Sequence, residues 1–247
     1  MIAWISHHLP ENFGGKLVGG AEMTDATLLA NAPVEVKTFL PHQWKDAMDY
    51  DQIVITGTDL LSPWAMLQLA KKNPVVAIHH EQTHNEHRAT LINSSRLFMA
   101  RTPRHLEIEL AWTSPKVSSW VTSPIDITEI TEKPKEDFAL WAARMHNQKG
   151  PKEAQAWAEQ NGIPLVMMTD KPRAEVLETM SRAKHFVFLP NNFDAEPRAV
   201  IEAILSGCQV HTNELAGITS IPNWQDKDVL TELVAGAKQL FWDRILA

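Results

Sequence analysis

The segment Phe138-Ala139-Leu140-Trp141-Ala142-Ala143-Arg144-Met145-His146-Asn147-Gln148-Lys149-Gly150 is a short apolar run that ends in a polar loop closed by glycine. The amphipathic segment Pro151–Asn161 follows directly. A strand, a loop and a helix in this order form the repeating unit of a parallel sheet covered by helices. We therefore predict that a Rossmann-like α/β domain begins here.

The same alternation of short apolar runs and longer amphipathic segments extends over the rest of the chain. Strands are predicted at Ile2–Ser6, Val34–Leu40, Gln52–Thr56, Val75–His79, Leu97–Met99, Val117–Val121, Phe138–Ala142, Leu165–Thr169, His185–Leu189 and Cys208–His211. Helices are predicted at Ala21–Ala30, Pro63–Lys71, Glu86–Asn93, Pro103–Trp112, Pro151–Asn161, Arg173–Ser181, Pro197–Leu205 and Lys227–Leu246.

A polar, proline-broken stretch separates two series of strands and helices. Thr122-Ser123-Pro124-Ile125-Asp126 and the charged segment Glu129–Asp137 are too polar to form a core. We place a domain boundary there, which gives two Rossmann-like domains of residues 1–122 and 123–247. The helix at Lys227–Leu246 is expected to close the second.

Composition excludes several classes of protein. The 247 residues include 23 basic and 30 acidic side chains, a formal charge of −7, so the chain has no strong electrostatic footprint for nucleic acid. Its single cysteine, Cys208, rules out an intramolecular disulfide and any multi-cysteine metal site. No apolar run approaches the roughly 20 residues that cross a bilayer, and the start lacks a secretion signal. We expect a cytoplasmic protein without a membrane span.

Three segments at predicted strand ends have the residues to carry chemistry. The first is Gly14-Gly15-Lys16-Leu17-Val18-Gly19-Gly20-Ala21-Glu22. Glycines let backbone N–H groups approach a phosphate or a sugar, and the start of the following helix adds partial positive charge. The segment matches neither the dinucleotide fingerprint nor a Walker A loop, and a loop without a ligand fits it equally well.

The second segment is the loop that contains Arg144 and Lys149. Two cations at the mouth of a parallel sheet can clamp a diphosphate, the arginine through its planar fork and the lysine as a point charge. A solvated surface loop is the alternative interpretation.

The third segment surrounds the predicted helix Pro197–Leu205, with Asp194 and Glu196 before it and Glu202 within it. A carboxylate can accept hydrogen bonds from two vicinal hydroxyls, while the helix N-terminus holds phosphates. The alternative is that Asp194 or Glu196 merely caps the helix and that Glu202 lies on the surface.

Taken in order, these motifs resemble glycosyltransferase family 4. The shared features are the Gly-Gly-Ala-Glu loop, a proline-containing hinge, the Arg…Lys-Gly loop and an acidic-x7-Glu helix that ends in Ala-x-x-x-Gly. The motif Pro-Arg-x-Val-Ile-Glu-Ala is most similar to the one in small family members from bacteriophages and some bacteria. The resemblance implies a GT-B fold, in which two Rossmann-like domains face one another across a cleft, residues 1–122 bind the acceptor and residues 123–247 bind a nucleotide sugar.

The resemblance also implies roles for individual residues. Arg144 and Lys149 would bind the donor diphosphate, Glu202 the ribose, and either Asp194 or Glu196 the donor sugar. The family places a histidine after the fourth strand near that sugar; His79 and His80 both match, and we favour His80. The implied catalytic residues are thus His80, Asp194 and Glu196, the donor-binding residues Gly19, Gly20, Arg144, Lys149, Arg198, Ala199 and Glu202, and the acceptor-binding residues Glu22, His79 and Arg88.

The implied reaction is a transfer with retention that requires neither a metal nor a cofactor. The co-substrate would be a nucleotide sugar, with UDP as the expected nucleotide. A phage-type enzyme would work in the host cytoplasm, and a hydroxymethylated base in phage DNA would be a suitable acceptor; reaching it in a duplex would require base flipping.

Two alternative functions fit parts of the sequence. His80-Glu81-Gln82-Thr83-His84 is an H-E-x-x-H motif, which on a helix would bind zinc for hydrolysis. The motif directly continues a predicted strand, and this position speaks against a helix. A nucleotide-sugar epimerase of the same fold is the second alternative, and product analysis would separate it from a transferase.

Overall fold

The computed structural model describes residues 1–9, 19–79 and 85–247. The chain divides into one unit of Met1–Pro124 with Gly236–Ala247 and a second unit of Ile125–Ala235. None of the described helices has the length and apolar character needed to cross a membrane.

The first unit contains a parallel sheet of six strands with helices between them. Its strands are β1 (Ile2–Ile5), β2 (Val36–Phe39), β3 (Gln52–Ile55), β4 (Val75–Ala77), β5 (Leu97–Ala100) and β6 (Ser118–Trp120). Its helices are α1 (Gly20–Ala30), α2 (Trp44–Ala47), α3 (Pro63–Ala70), α4 (Glu86–Asn93) and α5 (Pro103–Leu110). The strand order is β2-β1-β3-β4-β5-β6, and every neighbouring pair is parallel.

Local sequence explains where the helices of this unit begin. The side chains of Ser62, Asn85 and Thr102 each accept a hydrogen bond from the backbone N–H three residues later, which satisfies one of the free donors at the helix start. Pro63 and Pro103 follow two of these caps at the first helical position, where a missing N–H costs nothing. These signals are readable in the sequence, and all three helix starts agree with the prediction.

The second unit contains a parallel sheet of four strands. Its strands are β7 (Glu136–Ala142), β8 (Leu165–Met168), β9 (Ala183–Phe188) and β10 (Gln209–Thr212), and its helices are α6 (Pro151–Asn161), α7 (Arg173–Arg182) and α8 (Arg198–Leu205). The strand order is β10-β9-β7-β8, again with only parallel pairs. The final helix, α9 (Lys227–Leu246), starts in this unit.

The central strands of both sheets are buried, as expected for parallel sheets covered by helices. Trp4 in β1 and Trp141 in β7 are fully buried, at 0% exposure. The apolar runs of the sequence therefore become the two cores, and every predicted strand and helix is present with ends within two residues of the prediction.

The course of α9 differs from the prediction. The sequence-based division assigned Lys227–Leu246 entirely to the second domain, but its residues from Gly236 onward belong to the first unit. Phe241 and Trp242 pack against Trp4, with ring centroids 5.8 Å away in each case. The Trp242 indole N–H donates to the carbonyl of Leu28 at 3.0 Å. Burial of these two large rings holds the end of the helix on the first sheet.

Candidate functional site

The loop from Arg144 to Gly150 is held tightly at the carboxyl end of β7. The buried indole of Trp141 donates its N–H to the carbonyl of Lys149 at 3.1 Å. Gly150 has φ +67°, and a Cβ there would overlap the carbonyl oxygen of Leu189. Only glycine fits this position, because it accepts the left-handed conformation and leaves room for the neighbouring strand end.

Asp194 is fixed at the carboxyl end of β9 by its own backbone. Its N–H donates to the carbonyl of Leu215 at 2.8 Å, and its carbonyl accepts from the N–H of Gly217 at 2.7 Å. Because β7 and β9 are parallel neighbours, the loops that follow them lie at the same edge of the sheet.

These two loops meet through their charged side chains. The ammonium of Lys149 lies 2.5 Å from Oδ2 of Asp194. The side chain of Lys149 is 35% exposed and that of Asp194 is 10% exposed, so the pair is at the surface of the unit. The structure thus brings together the predicted phosphate ligand and one of the two carboxylates predicted to bind the sugar.

The start of α8 adds a second group of charges at this edge. Glu202 is buried and receives hydrogen bonds on Oε1 from Nη2 and Nε of Arg173, at 3.0 and 3.3 Å. Arg173 also forms an ion pair with Glu129. Burial lowers the pKa of Arg198, while the nearby carboxylates Glu202 and Glu196 act in the opposite direction. Arg198 therefore lies within electrostatic reach of both carboxylates.

The alternative interpretation, that Asp194 or Glu196 caps α8, does not agree with the structure. The N-cap is Pro197, and Arg198 is the first helical residue, so neither Asp194 nor Glu196 occupies the cap. Ala199 lies in the first turn of the helix. Arg144 is exposed in the loop after β7. The donor-binding roles predicted for these residues stay predictions.

Two residues of this edge were not anticipated from the sequence. Arg173 opens α7 directly after β8 and Pro172, and Glu129 lies in the segment that we treated as a polar linker. The only available signal was the position of Arg173 at the start of a helix that follows a strand.

The first unit carries a different polar cluster at the carboxyl ends of its strands. Asp25 of α1 is fully buried. Its Oδ2 accepts hydrogen bonds from the hydroxyls of Ser6 and Thr56, each at 2.6 Å. Its Oδ1 lies 2.6 Å from Nε2 of His79. Ser6, Thr56 and His79 come directly or shortly after β1, β3 and β4, so the parallel sheet brings them to one edge.

Burial and partners set the charges in this cluster. Burial disfavours the ionised form of Asp25, but the charge and hydrogen bond of His79 and the hydroxyls of Ser6 and Thr56 outweigh it and lower its pKa to about 2. Burial and the charge of Arg101 lower the pKa of His79 to about 3. At neutral pH Asp25 is ionised and His79 is neutral. The proton of the imidazole then sits on Nε2, facing the carboxylate, and Nδ1 is an acceptor.

Two of the residues predicted to bind the acceptor belong to this cluster. His8 connects them, because its Nδ1 lies 3.8 Å from Oε1 of Glu22 and its ring packs edge-on to His79 with centroids 5.4 Å apart. Glu22 and His79 are each 5% exposed. The structure therefore groups them, although nothing in the sequence spacing required it.

Arg88, the third predicted acceptor ligand, lies elsewhere. Its side chain is 2% exposed and pairs with Glu109 through Nη2 and Oε1 at 2.9 Å. This buried ion pair joins α4 to α5. The acceptor-binding assignment of Arg88 stays a prediction.

Several predicted features lie wholly or partly outside the described residues. His80, the complete H-E-x-x-H motif and the segment from Gly14 to Val18 belong to this group. Of the glycine-rich loop, Gly19 is the N-cap of α1 and Gly20 its first residue. Within residues 1–9, 19–79 and 85–247, no group of three or more His, Cys, Asp or Glu side chains is placed to hold a metal ion.

Comparison with solved structures gives the fold a precedent. Sucrose-phosphate synthase from Thermosynechococcus elongatus matches with a TM-score of 0.68 and 14% identity, over 99% of this chain and 90% of that one. The lipopolysaccharide outer core galactosyltransferase WaaB matches with a TM-score of 0.66 and 11% identity, over 99% and 97%. HepE from Anabaena, in complex with UDP and glucose, matches with a TM-score of 0.60 and 12% identity, over 98% and 94%.

No protein-family model and no curated protein matches the sequence itself. The structural likeness spans nearly the whole of each chain, which is more than a shared single domain would give. At this level of identity it establishes the fold and not the activity. The predicted fold class is therefore confirmed: the chain has the α/β GT-B fold of these transferases, with two all-parallel sheets.

Proposed function

We propose that the chain is a glycosyltransferase that takes a sugar from a nucleotide-sugar donor, with UDP as the nucleotide, and transfers it with retention to an acceptor hydroxyl. The fold supports the proposal, because the chain matches transferases over almost their full length. HepE, one of these, has been determined with UDP and with UDP-glucose.

The observation that carries the proposal is the contact between Lys149 and Asp194. A cation suited to a diphosphate and a carboxylate suited to sugar hydroxyls lie 2.5 Å apart at the carboxyl edge of a parallel sheet. This is the edge at which open α/β sheets bind nucleotides. Arg198 and Glu202 lie on α8 at the same edge.

The proposed chemistry follows from where charge develops. The bond between the anomeric carbon and the diphosphate oxygen breaks, and the acceptor oxygen forms its bond on the same face of the sugar. The acceptor's proton passes to the departing diphosphate. Arg144, Lys149 and Arg198 would stabilise the growing negative charge, so the proposal requires no divalent ion.

Within the same proposal, the first unit receives the acceptor. Glu22 and His79 form the candidate contacts, because a carboxylate and a neutral imidazole can both accept a hydrogen bond from a hydroxyl. A hydroxymethylated base in DNA is the acceptor that fits the resemblance of the sequence to phage members of the family. Binding to such DNA should weaken steeply with added salt; an association that salt does not affect would contradict this choice.

A donor assay tests the proposal. UDP-glucose is supplied with hydroxymethylated DNA, UDP release is followed, and the DNA is analysed by mass spectrometry. Arg144→Ala, Lys149→Ala and Glu202→Ala should each lower turnover by about 100-fold or more. Lys152→Ala is the matched control, since this exposed lysine lies in α6 just beyond the loop. Wild-type rates in all three site variants would overturn the assignment, and a rate abolished by EDTA would overturn metal independence.

A further inference from the structure

Arg173 contacts only one of the two carboxylate oxygens of Glu202. Its Nη2 and Nε both donate to a single carboxylate oxygen, Oε1, at 3.0 and 3.3 Å. On its other side the guanidinium pairs with Glu129 through Nη1. Both partners of the central pair are largely shielded, with side-chain exposures of 23% for Arg173 and 9% for Glu202.

This geometry leaves the second oxygen of Glu202 available. No described residue donates a hydrogen bond to Oε2, whereas Oε1 accepts two. A carboxylate has about four lone-pair sites, so a group with two adjacent donors could still bind. The planar guanidinium holds Oε1 with two donors at once, whereas a lysine offers a single point charge.

We infer that Arg173 is a positioning residue, which holds Glu202 through Oε1 so that Oε2 faces the vicinal hydroxyls of a nucleoside diphosphate. Glu129 restrains the guanidinium from the opposite side. The inference rests on the proposed function and on the ribose-binding role that the family resemblance implies for Glu202. It adds that the ability to recognise a ribose diol depends on an arginine from a different helix, α7.

A purely structural ion pair would behave differently. Breaking it would change the stability of the protein, or its affinity for every nucleotide by the same factor. A positioning role instead predicts a loss confined to ligands that carry the diol. The ratio of the dissociation constants for 2′,3′-dideoxy-UDP and UDP measures this directly, because the two probes differ only in those hydroxyls.

Isothermal titration of the full chain with both probes provides the test. The wild-type protein should bind UDP about 30-fold more tightly than dideoxy-UDP, the effect expected for hydrogen bonds to a charged group. Arg173→Met should reduce the ratio to about 3 or less without changing the affinity for dideoxy-UDP. Arg173→Lys should restore only part of the ratio, because it keeps the charge and loses the fork.

Arg182→Met is the matched control. Arg182 ends the same helix and pairs with Glu136 at 2.8 Å, so its replacement removes an arginine ion pair of α7 without touching Glu202. The ratio should stay at the wild-type value in this variant. Circular dichroism establishes that each variant is folded before it is titrated.

The outcomes separate the inference from the proposed function. If Glu202→Gln abolishes the ratio and Arg173→Met leaves it intact, the positioning role is overturned and the transferase proposal stands. A wild-type protein that binds UDP and dideoxy-UDP equally well overturns the positioning role together with the ribose-binding role of Glu202, while the transferase proposal stands. A wild-type protein that binds neither nucleotide overturns both.

Discussion

The two polar clusters of the molecule differ in how their charges are satisfied. In the first unit, Asp25 is fully buried and surrounded by hydrogen bonds of 2.6 Å from Ser6, Thr56 and His79. In the second unit, Lys149 reaches Asp194 through a single contact, and the lysine is one-third exposed.

This difference determines which charged side chains can exchange their protein partner for a ligand. A buried carboxylate with three partners cannot lose one without leaving an unpaired charge in a medium of low polarity. An ion pair whose lysine is one-third exposed contributes little to folding, and a phosphate can replace the carboxylate as the partner of the lysine at small cost. The Asp25 carboxylate therefore holds its neighbours in place, His79 among them, while the Lys149–Asp194 pair can exchange its partner for a ligand.

Removal of the buried Asp25 carboxylate should destabilise the protein most. Asp25→Ala should lower the free energy of unfolding by about 3–5 kcal/mol, because it strands two hydroxyls and a histidine in the interior. Urea denaturation followed by circular dichroism measures the change. Asp194→Asn is the control and should cost less than about 1 kcal/mol. Equal losses in the two variants would show that the clusters do not differ.

A second test asks whether the second unit is rigid in its backbone even though its charges are exchangeable. Gly150→Ala should cost about 3 kcal/mol or more, since it combines left-handed strain with a clash against the carbonyl of Leu189. Gly162 at the other end of α6 has nearly the same φ, +66°, but an added Cβ would meet no atom within 4 Å, so Gly162→Ala should cost only about 1 kcal/mol. Denaturation curves for both variants give the difference, and similar costs would argue against a tightly held loop.

The free energy of unfolding should also depend on pH through His79 and Asp25. The pKa of His79 in the folded protein is about 3, below its ordinary 6.5, so the unfolded chain takes up the proton first. The stability that neutral His79 contributes is complete above pH 6.5 and is lost as the pH falls from 6.5 towards 3. Between pH 7.5 and 5 this amounts to about 2 kcal/mol. Asp25, with a pKa lowered to about 2, adds its own loss only below about pH 4.

Subtraction isolates the contribution of this histidine. Unfolding free energies of the wild-type protein and of His79→Gln are measured across the same pH range, and their difference should shrink as the pH falls. Other histidines with lowered pKa values, such as His185 and His211, affect both proteins alike. A constant difference would mean that His79 keeps its ordinary pKa in the fold.

Loss of the Lys149–Asp194 ion pair should change the stability of the protein least. Lys149→Met should change the free energy of unfolding by less than about 1 kcal/mol, because the lysine is one-third exposed and its charge is screened by water. The Lys149–Asp194 pair should also contribute little to the salt dependence of stability. The free energies of unfolding of the wild-type protein and of Lys149→Met should therefore change by similar amounts when salt is raised from about 0.05 to about 0.5 M. A loss of several kcal/mol would move Lys149 from a ligand-binding role to a structural one.

Most of the fold was readable from the sequence because its signals are local. The alternation of apolar runs and amphipathic segments located every strand, and caps such as Ser62 and Thr102 marked where helices begin. Helix α2 was missed because its four residues are too few to show a helical period. The path of α9 was also missed, since the same apolar spacing would bury the helix against either sheet.

The candidate site was only partly predictable, because side-chain partners are set by tertiary packing. Lys149 and Asp194 were selected as parts of separate motifs, and nothing in the sequence indicated their contact. The ion pair of Arg88 could not be predicted either, because its partner Glu109 lies 21 residues away and meets it only when α4 and α5 pack. Arg173 belongs to no motif, so its hydrogen bonds to Glu202 could be found only from the structure.

The path of α9 also bears on how the chain assembles during synthesis. The first unit needs Gly236–Ala247 to cover Trp4, whereas the second unit is one continuous stretch, Ile125–Ala235. The ribosome releases the beginning of the chain first, yet that part must wait for residues made more than a hundred positions later before its interior is sealed. The middle of the chain can mature earlier than its start, which reverses the usual order of folding from the amino terminus.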